Sequence, residues 1–237
     1  MAFTVHAVMP GVWHIVDCMG VCMTLLEGEN AAMLVDTGYG IEDVADFMRH
    51  MTDLPLTVFL THNHHDHAMG ARCFPETYML EADMADWRMF TNDKMRRRVL
   101  TQAIGKNLPV DEKTFLAGEI PLPKVMKPGV IDLGGLTAEI IEAPGHTPGS
   151  AVVYVPERKL LLSGDDWNPC TWLFFPQALG LREYRSNMRG IQQLPFEKVL
   201  CPHREALYDR WMFDDFFNAL TDGNLRAAEP VNIAPYE

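Results

Sequence analysis

Thr61-His62-Asn63-His64-His65-Asp66-His67-Ala68 follows directly on the apolar run from Leu56 to Leu60, so His62, His64, Asp66 and His67 stand at His-x-His-x-Asp-His spacing. Imidazole nitrogen and carboxylate oxygen are the donors that borderline divalent metals such as zinc accept. In an extended segment His62 and His64 project to the same side and can grip one ion. A helix predicted to begin at Asp66-His67-Ala68-Met69-Gly70-Ala71 turns Asp66 and His67 sideways, toward a second ion. One octet thus serves two ions, and further donors must come from elsewhere in the chain.

Three other short apolar strands run into polar residues. Leu136 to Ala143 ends in Pro144-Gly145-His146-Thr147-Pro148-Gly149, a loop whose glycines let the backbone come close to an ion. Lys159 to Ser163 contains Leu160-Leu161-Leu162 and leads into Gly164-Asp165-Asp166, where one carboxylate with two oxygens can bridge two metals. Phe196 to Cys201 ends in Pro202-His203-Arg204. His146, Asp165 and His203 are the added candidates.

With Val35-Asp36-Thr37-Gly38 ahead of the octet, these elements resemble the metallo-β-lactamase-fold superfamily of metallohydrolases in type and order, from about residue 10 to about residue 210. The resemblance implies an α/β fold, a four-layered αβ/βα sandwich with a dinuclear site where the loops of the two sheets meet. It implies a single metallo-β-lactamase-like domain over residues 1–237, with a cap-like insertion at about 83–127. Independently, alternation of short strands with helical stretches argues for α/β. Carried over residue by residue, His62, His64 and His146 hold the first metal, Asp66, His67 and His203 the second, and Asp165 bridges. The implied cofactor is two divalent ions, zinc first, with iron or manganese as alternatives. The implied activity is hydrolysis of a small-molecule ester, lactone, thioester or phosphodiester by a metal-bridging hydroxide, with Asp66 and Asp165 as catalytic carboxylates. Asp36 and Thr61 are read as supports of the ligands, Asp36 as the partner of a metal-bound imidazole. Two alternatives stand beside this reading: a mononuclear iron sulfur dioxygenase and a non-catalytic binding member.

Departures from other branches narrow the substrate. Zinc enzymes that destroy β-lactam antibiotics carry cysteine where Asp165 stands, and glyoxalase II enzymes add a C-terminal helical domain that the short stretch after His203 does not match. Members that process nucleic acid add an exosite or a further domain, and a net charge of −12 weighs against polyanion binding. The expected partner is therefore a small-molecule substrate, with neither nucleic acid nor membrane, and a homo-oligomer stays open.

A chain of 237 residues with 48% apolar content suits one sizeable domain. With no 18-residue apolar run and no basic, apolar leader at Met1 to His6, the expected location is cytoplasmic. Five cysteines (Cys18, Cys22, Cys73, Cys170, Cys201) without a Cys-x-x-Cys pair agree with a reducing compartment. Lys94-Met95-Arg96-Arg97-Arg98 reads as a solvated helix face or, second, as a contact for an anionic substrate. Residues 118–135, dense in Pro and Gly, read as a long ordered loop or hairpin. The apolar loop Asn168 to Pro176 lines a pocket beside the metal, or serves as a subunit interface or core plug. Tyr184 reads as a packing residue before an oxyanion donor, and His65 as a spacer. Asp166 is left open. His6, His14 and His50 read as ordinary surface or partly buried residues.

Overall fold

The inner strands of this chain are apolar on both sides, and the structure shows why. The computed structural model describes residues 3–169 and 172–221. The first sheet has seven strands, adjacent in chain order: β1 (Thr4–Met9), β2 (Val12–Val16), β3 (Cys22–Glu27), β4 (Ala32–Val35), β5 (Leu56–Phe59), β6 (Tyr78–Met79) and β7 (Lys124–Val125). β1 to β4 pair antiparallel, and β4 to β7 run parallel. Helix α1 (Val44–Met51) crosses from β4 to β5. α2 (His65–Ala68) follows β5, and α3 (Trp87–Thr91), α4 (Asp93–Gly105) and α5 (Glu112–Phe115) lie between β6 and β7. The second sheet runs β13-β12-β11-β10-β9-β8 across its width. Its strands are β8 (Gly129–Asp132), β9 (Thr137–Glu142), β10 (Ala151–Val155), β11 (Leu160–Leu162), β12 (Lys198–Leu200) and β13 (Leu207–Asp209). α6 (Leu181–Ile191) crosses between the parallel neighbours β11 and β12, and α7 (Arg210–Ala219) closes the described chain.

Side-chain alternation places the layers. Leu26, Met33, Val35 and Phe59 of the first sheet meet Ala151, Val153, Leu160 and Leu200 of the second in a central core. Their sequence neighbours Leu25, Leu34 and Val58 point the other way, against Val44, Ala45 and Met48 of α1. Val152, Tyr154, Leu161 and Val199 likewise face Tyr184 and Met188 of α6 and Phe213 and Phe217 of α7. The order is helix, sheet, sheet, helix, the four-layered αβ/βα sandwich expected. Each Leu- or Phe-sized side chain so buried contributes roughly 1.5–3 kcal/mol, which is why strands with two buried faces read as unbroken apolar runs.

Several expectations need correction. Residues 118–135 are not one loop: they supply β7, which completes the first sheet, cross to the second sheet, and supply β8, the first arm of a hairpin with β9. The helix after His64 stops at Ala68 and tightens into a 3-10 turn over Met69–Cys73. Gly70 sits so close to Thr37 that a Cβ there would lie 2.1 Å from the Thr37 carbonyl oxygen, which pins the chain. Arg96 is neither solvated nor turned to a ligand. It is 1% exposed and donates to the carbonyls of Phe115 (2.8 Å) and Gly118 (2.6 Å), closing the turn after α5. Among the described residues no helix is long and apolar enough to cross a membrane.

His14 is no surface histidine either: it is 2% exposed, with Nδ1 3.1 Å from Thr24 Oγ1 and Nε2 3.2 Å from the Arg204 carbonyl. A neutral ring fits, accepting from the threonine and donating to the carbonyl. Burial pushes its pKa down to about 4. The folded pKa lies below the unfolded one, so this stability is full above about pH 6.5 and is lost as pH falls toward 4, about 2–3 kcal/mol by pH 4.5. Urea unfolding of metal-stripped protein at pH 7 and 4.5 checks it. His14→Gln is expected to shrink the difference between the two pH values by that amount, and equal differences in both proteins rule the titration out.

Candidate metal centre

Five strand ends converge at the carboxyl edge of the two sheets, the place where open α/β sheets collect ligand-binding loops. β4 runs into Asp36, β5 into Thr61 to His67, β9 into the loop holding His146, β11 into Asp165 and β12 toward His203. His62, His64, His146 and Asp165 offer donor atoms that all lie within 4.8 Å of one another, and Asp66, His67 and His203 form a second such group. All seven residues named from the sequence are in these two groups.

Asp165 faces both. Its Oδ2 lies 3.4 Å from His146 Nε2 and 4.0 Å from His62 Nε2. Its Oδ1 lies 3.1 Å from His203 Nε2 and 3.5 Å from His67 Nε2. Asp66 Oδ2 completes the second group, 3.6 Å from His203 Nε2 and 3.7 Å from His67 Nε2. The first group is sealed, whereas the Asp66 and His203 side chains are 14% and 13% exposed. The mouth of the site is on their side.

The donors fit divalent metal. Nε2 of His62, of His67 and of His203 is buried without a hydrogen-bond partner, and a buried polar atom left so is costly unless something binds it. The other ring nitrogens explain the orientation. Asp36 Oδ2 accepts from His67 Nδ1 at 3.0 Å, the Trp172 carbonyl from His146 Nδ1 at 2.7 Å, and Thr61 Oγ1 from His62 Nδ1 at 3.0 Å. Each bond fixes the proton on the outer nitrogen and leaves a lone pair on Nε2 pointing inward. His64 turns the other way, with Nδ1 inward, 2.8 Å from His146 Nε2, and Nε2 against the Gln177 side-chain amide at 2.8 Å.

Burial, with neighbouring imidazoles adding to it, holds His62 and His64 well below the usual histidine range; His146 is lowered by burial against the opposing pull of Asp165. Burial also opposes charge on His67 and Asp165, yet their mutual attraction prevails. The Asp165, Asp66 and Asp36 carboxylates lift His67 well above its ordinary value, and His203 and His67 hold Asp165 well below its own. Asp66 is likewise lowered, burial being outweighed by His67, His65 and His203. The centre therefore offers lone pairs in the first group and a field that favours positive charge in the second.

Asp36 supports both groups at once, taking Thr61 N at 2.7 Å and Thr61 Oγ1 at 2.9 Å besides His67. Two supports escaped sequence reasoning. Gln177 has no motif around it. Asp83, 1% exposed, ties the two ligand loops together, accepting from Asn63 N (3.1 Å), Thr147 Oγ1 (2.8 Å) and Gly149 N (2.6 Å). A Cβ at Gly149 would meet Asp83 Oδ1 at 2.6 Å, so glycine is needed there. Asp166 stands outside both groups and accepts from the His146 backbone N–H at 2.9 Å; burial pushes its pKa well up. Tyr184 is buried, and its hydroxyl donates to the Asp166 carbonyl, which places it beneath the loop rather than over the site. His65 lies outside the donor groups, its ring edge-on to Tyr39 at 5.5 Å.

The apolar loop after Asp165 covers the centre. Trp172 lies on His203 with ring centroids 4.5 Å apart, and Phe175 on His64 and His146 at 4.6 and 5.2 Å. Phe90 of α3 packs against His64 from the opposite segment at 4.4 Å. Cys170 and Thr171 of this loop lie outside the described residues.

The model of the metallo-beta-lactamase superfamily matches residues 16–203. An acyl-coenzyme A thioesterase of Gallus gallus, MBLAC2, is 26% identical over 200 residues, covering 76% of this chain and 70% of that protein. Among solved structures, a metallo-beta-lactamase family protein of Thermus thermophilus superposes with a TM-score of 0.64 at 19% identity, over 90% of this chain and 80% of that one. A metallo-beta-lactamase of Pontibacter korlensis does so at 0.63 and 18%, over 92% and 98%.

Proposed function

The chain belongs to the metallo-beta-lactamase superfamily and is a metal-dependent hydrolase, and from that premise we propose that it hydrolyses an acyl-coenzyme A thioester at a site for two divalent ions, zinc first. The observation that carries the two-ion reading is Asp165, one oxygen turned to each donor group. His62, His64 and His146 would hold one ion and Asp66, His67 and His203 the other. Bound there, such ions supply Lewis acidity and make water a competent nucleophile near neutral pH. The thioester reading is supported by the likeness to the Gallus gallus thioesterase.

The chain's own residues do the rest. Asp66, ionised and at the mouth, is placed to accept the proton of the attacking water and return it to the departing sulfur. Water adds to the acyl carbon, the C–S bond breaks, and the products are a carboxylic acid and a thiol. Phe175 and Phe90 exclude bulk water from the first group and Trp172 from the His203 side of the second, all three rings being buried.

The test is elemental analysis of protein purified without added metal or chelator, followed by kcat/KM for thioesters, lactones and phosphodiesters. Two zinc or manganese ions per chain with preference for thioesters is the expected result. One iron per chain and no hydrolysis would overturn the reading in favour of a dioxygenase.

A further inference from the structure

Helix α6 starts beside the centre. Gln177 touches His64, Leu179 N donates to the Gly145 carbonyl at 2.8 Å, and Gly180 opens the helix. Tyr184, Met188 and Ile191 form its buried face. The opposite face carries Arg182, Arg185, Ser186 and Arg189, spaced i, i+3, i+4 and i+7. With Gly180 and Leu181 these line a groove of about 630 Å³. Arg182 and Arg189 are exposed and Arg185 is half-buried.

This row runs against the character of the chain, which has 32 acidic and 20 basic residues. Arg49, Arg88, Arg96 and Arg210 each pair with a carboxylate, while Arg182, Arg185 and Arg189 have no ion-pair or hydrogen-bond partner among the described residues. Like charges three and four apart weaken a helix. An uncompensated row of guanidiniums is matched instead by a ligand bearing several phosphates, which guanidinium forks bind in bidentate fashion.

We propose that the Arg182–Arg185–Arg189 groove binds the phosphate end of the coenzyme A carrier while the thioester reaches the metal centre. This rests on the thioesterase reading and extends it. Arg182 lies five positions after Gln177 in the chain, a reach of at most about 18 Å. Coenzyme A places a long flexible arm between its sulfur and its diphosphate and 3′-phosphate, so a phosphate site displaced from the metals is what such a substrate requires.

The experiment compares the metal-loaded wild type with the R182A/R185A/R189A variant on the same acyl group carried by coenzyme A or by pantetheine, which lacks the adenosine phosphates. The variant is expected to raise KM for the coenzyme A thioester about tenfold or more, with kcat retained, so that the preference over the pantetheine thioester collapses. An undiminished preference overturns the groove and leaves the thioesterase reading standing. Should R182A/R185A/R189A misfold by circular dichroism, R182E/R185E gives the same comparison. Titration with adenosine 3′,5′-bisphosphate by calorimetry separates the two ideas. If neither thioester turns over, the thioesterase reading fails, and the bisphosphate decides the groove: binding that the substitutions abolish supports it, and no binding to wild type overturns it.

Discussion

Asp165→Ala is expected to strip both ions from the centre and to lower kcat/KM by about a thousandfold or more, since two-metal chemistry supplies several kcal/mol of transition-state stabilisation. Among the described residues no other donor faces both groups. Removing the side chain takes Oδ2 from beside His146 and His62 and Oδ1 from beside His203 and His67 in one step. It also removes the anion that most lifts His67, so the second group loses negative field as well as a ligand. The fold should survive, because the remaining contact of Asp165 is one long bond from Asn168 Nδ2 at 3.3 Å. Metal content after extensive dialysis, with kcat/KM and the thermal midpoint of the metal-free protein, checks the expectation. Two ions retained per chain with activity within a few-fold of wild type would show that the two groups are held independently.

The centre was legible because coordination chemistry restricts residue type, and the octet sets most of the donors at fixed offsets after one strand. Each added donor also sat where an apolar run meets polar residues, a local signal that survives without any knowledge of the fold. What sequence could not show were partners chosen by position alone. The carbonyl that orients His146 belongs to Trp172, but any residue there carries a carbonyl. Asp83 and Gln177 act across loops separated by tens of residues, with no spacing to mark them. Arg96 illustrates the same limit in the fold. A basic run on a helix looks alike whether its middle residue meets water or the buried carbonyls of the next turn, and tertiary contact decided it. In residues 118–135, Pro and Gly announced a change of direction. Which sheet receives the chain afterwards depends on strand pairing far away.

Asp36→Asn isolates the support from the ligands. Asp36 has φ 65°, a left-handed conformation that asparagine tolerates better than most residues, so the backbone should hold. The carboxylate uses both oxygens, Oδ1 for Thr61 N at 2.7 Å and Oδ2 for His67 Nδ1 at 3.0 Å, with Thr61 Oγ1 donating to the pair. An amide has one acceptor. Turned one way it sets its NH2 against Thr61 N–H, and turned the other way against His67 Nδ1–H. The first orientation disturbs the loop that carries His62, and the second drives His67 toward the wrong tautomer, withdrawing its inward lone pair. The second turn is the cheaper, because the imidazole can move its proton and the backbone amide cannot. Affinity for the ion of the second group is therefore expected to fall about 10–100-fold, while the first group, with His62 still donating to Thr61, loses much less. Stepwise cobalt titration against a competing chelator resolves the two affinities, and kcat/KM should fall with the weaker one. Equal loss at both groups would mean that Asp36 acts by holding the loop rather than by orienting His67, and no loss at either would remove it from the centre altogether.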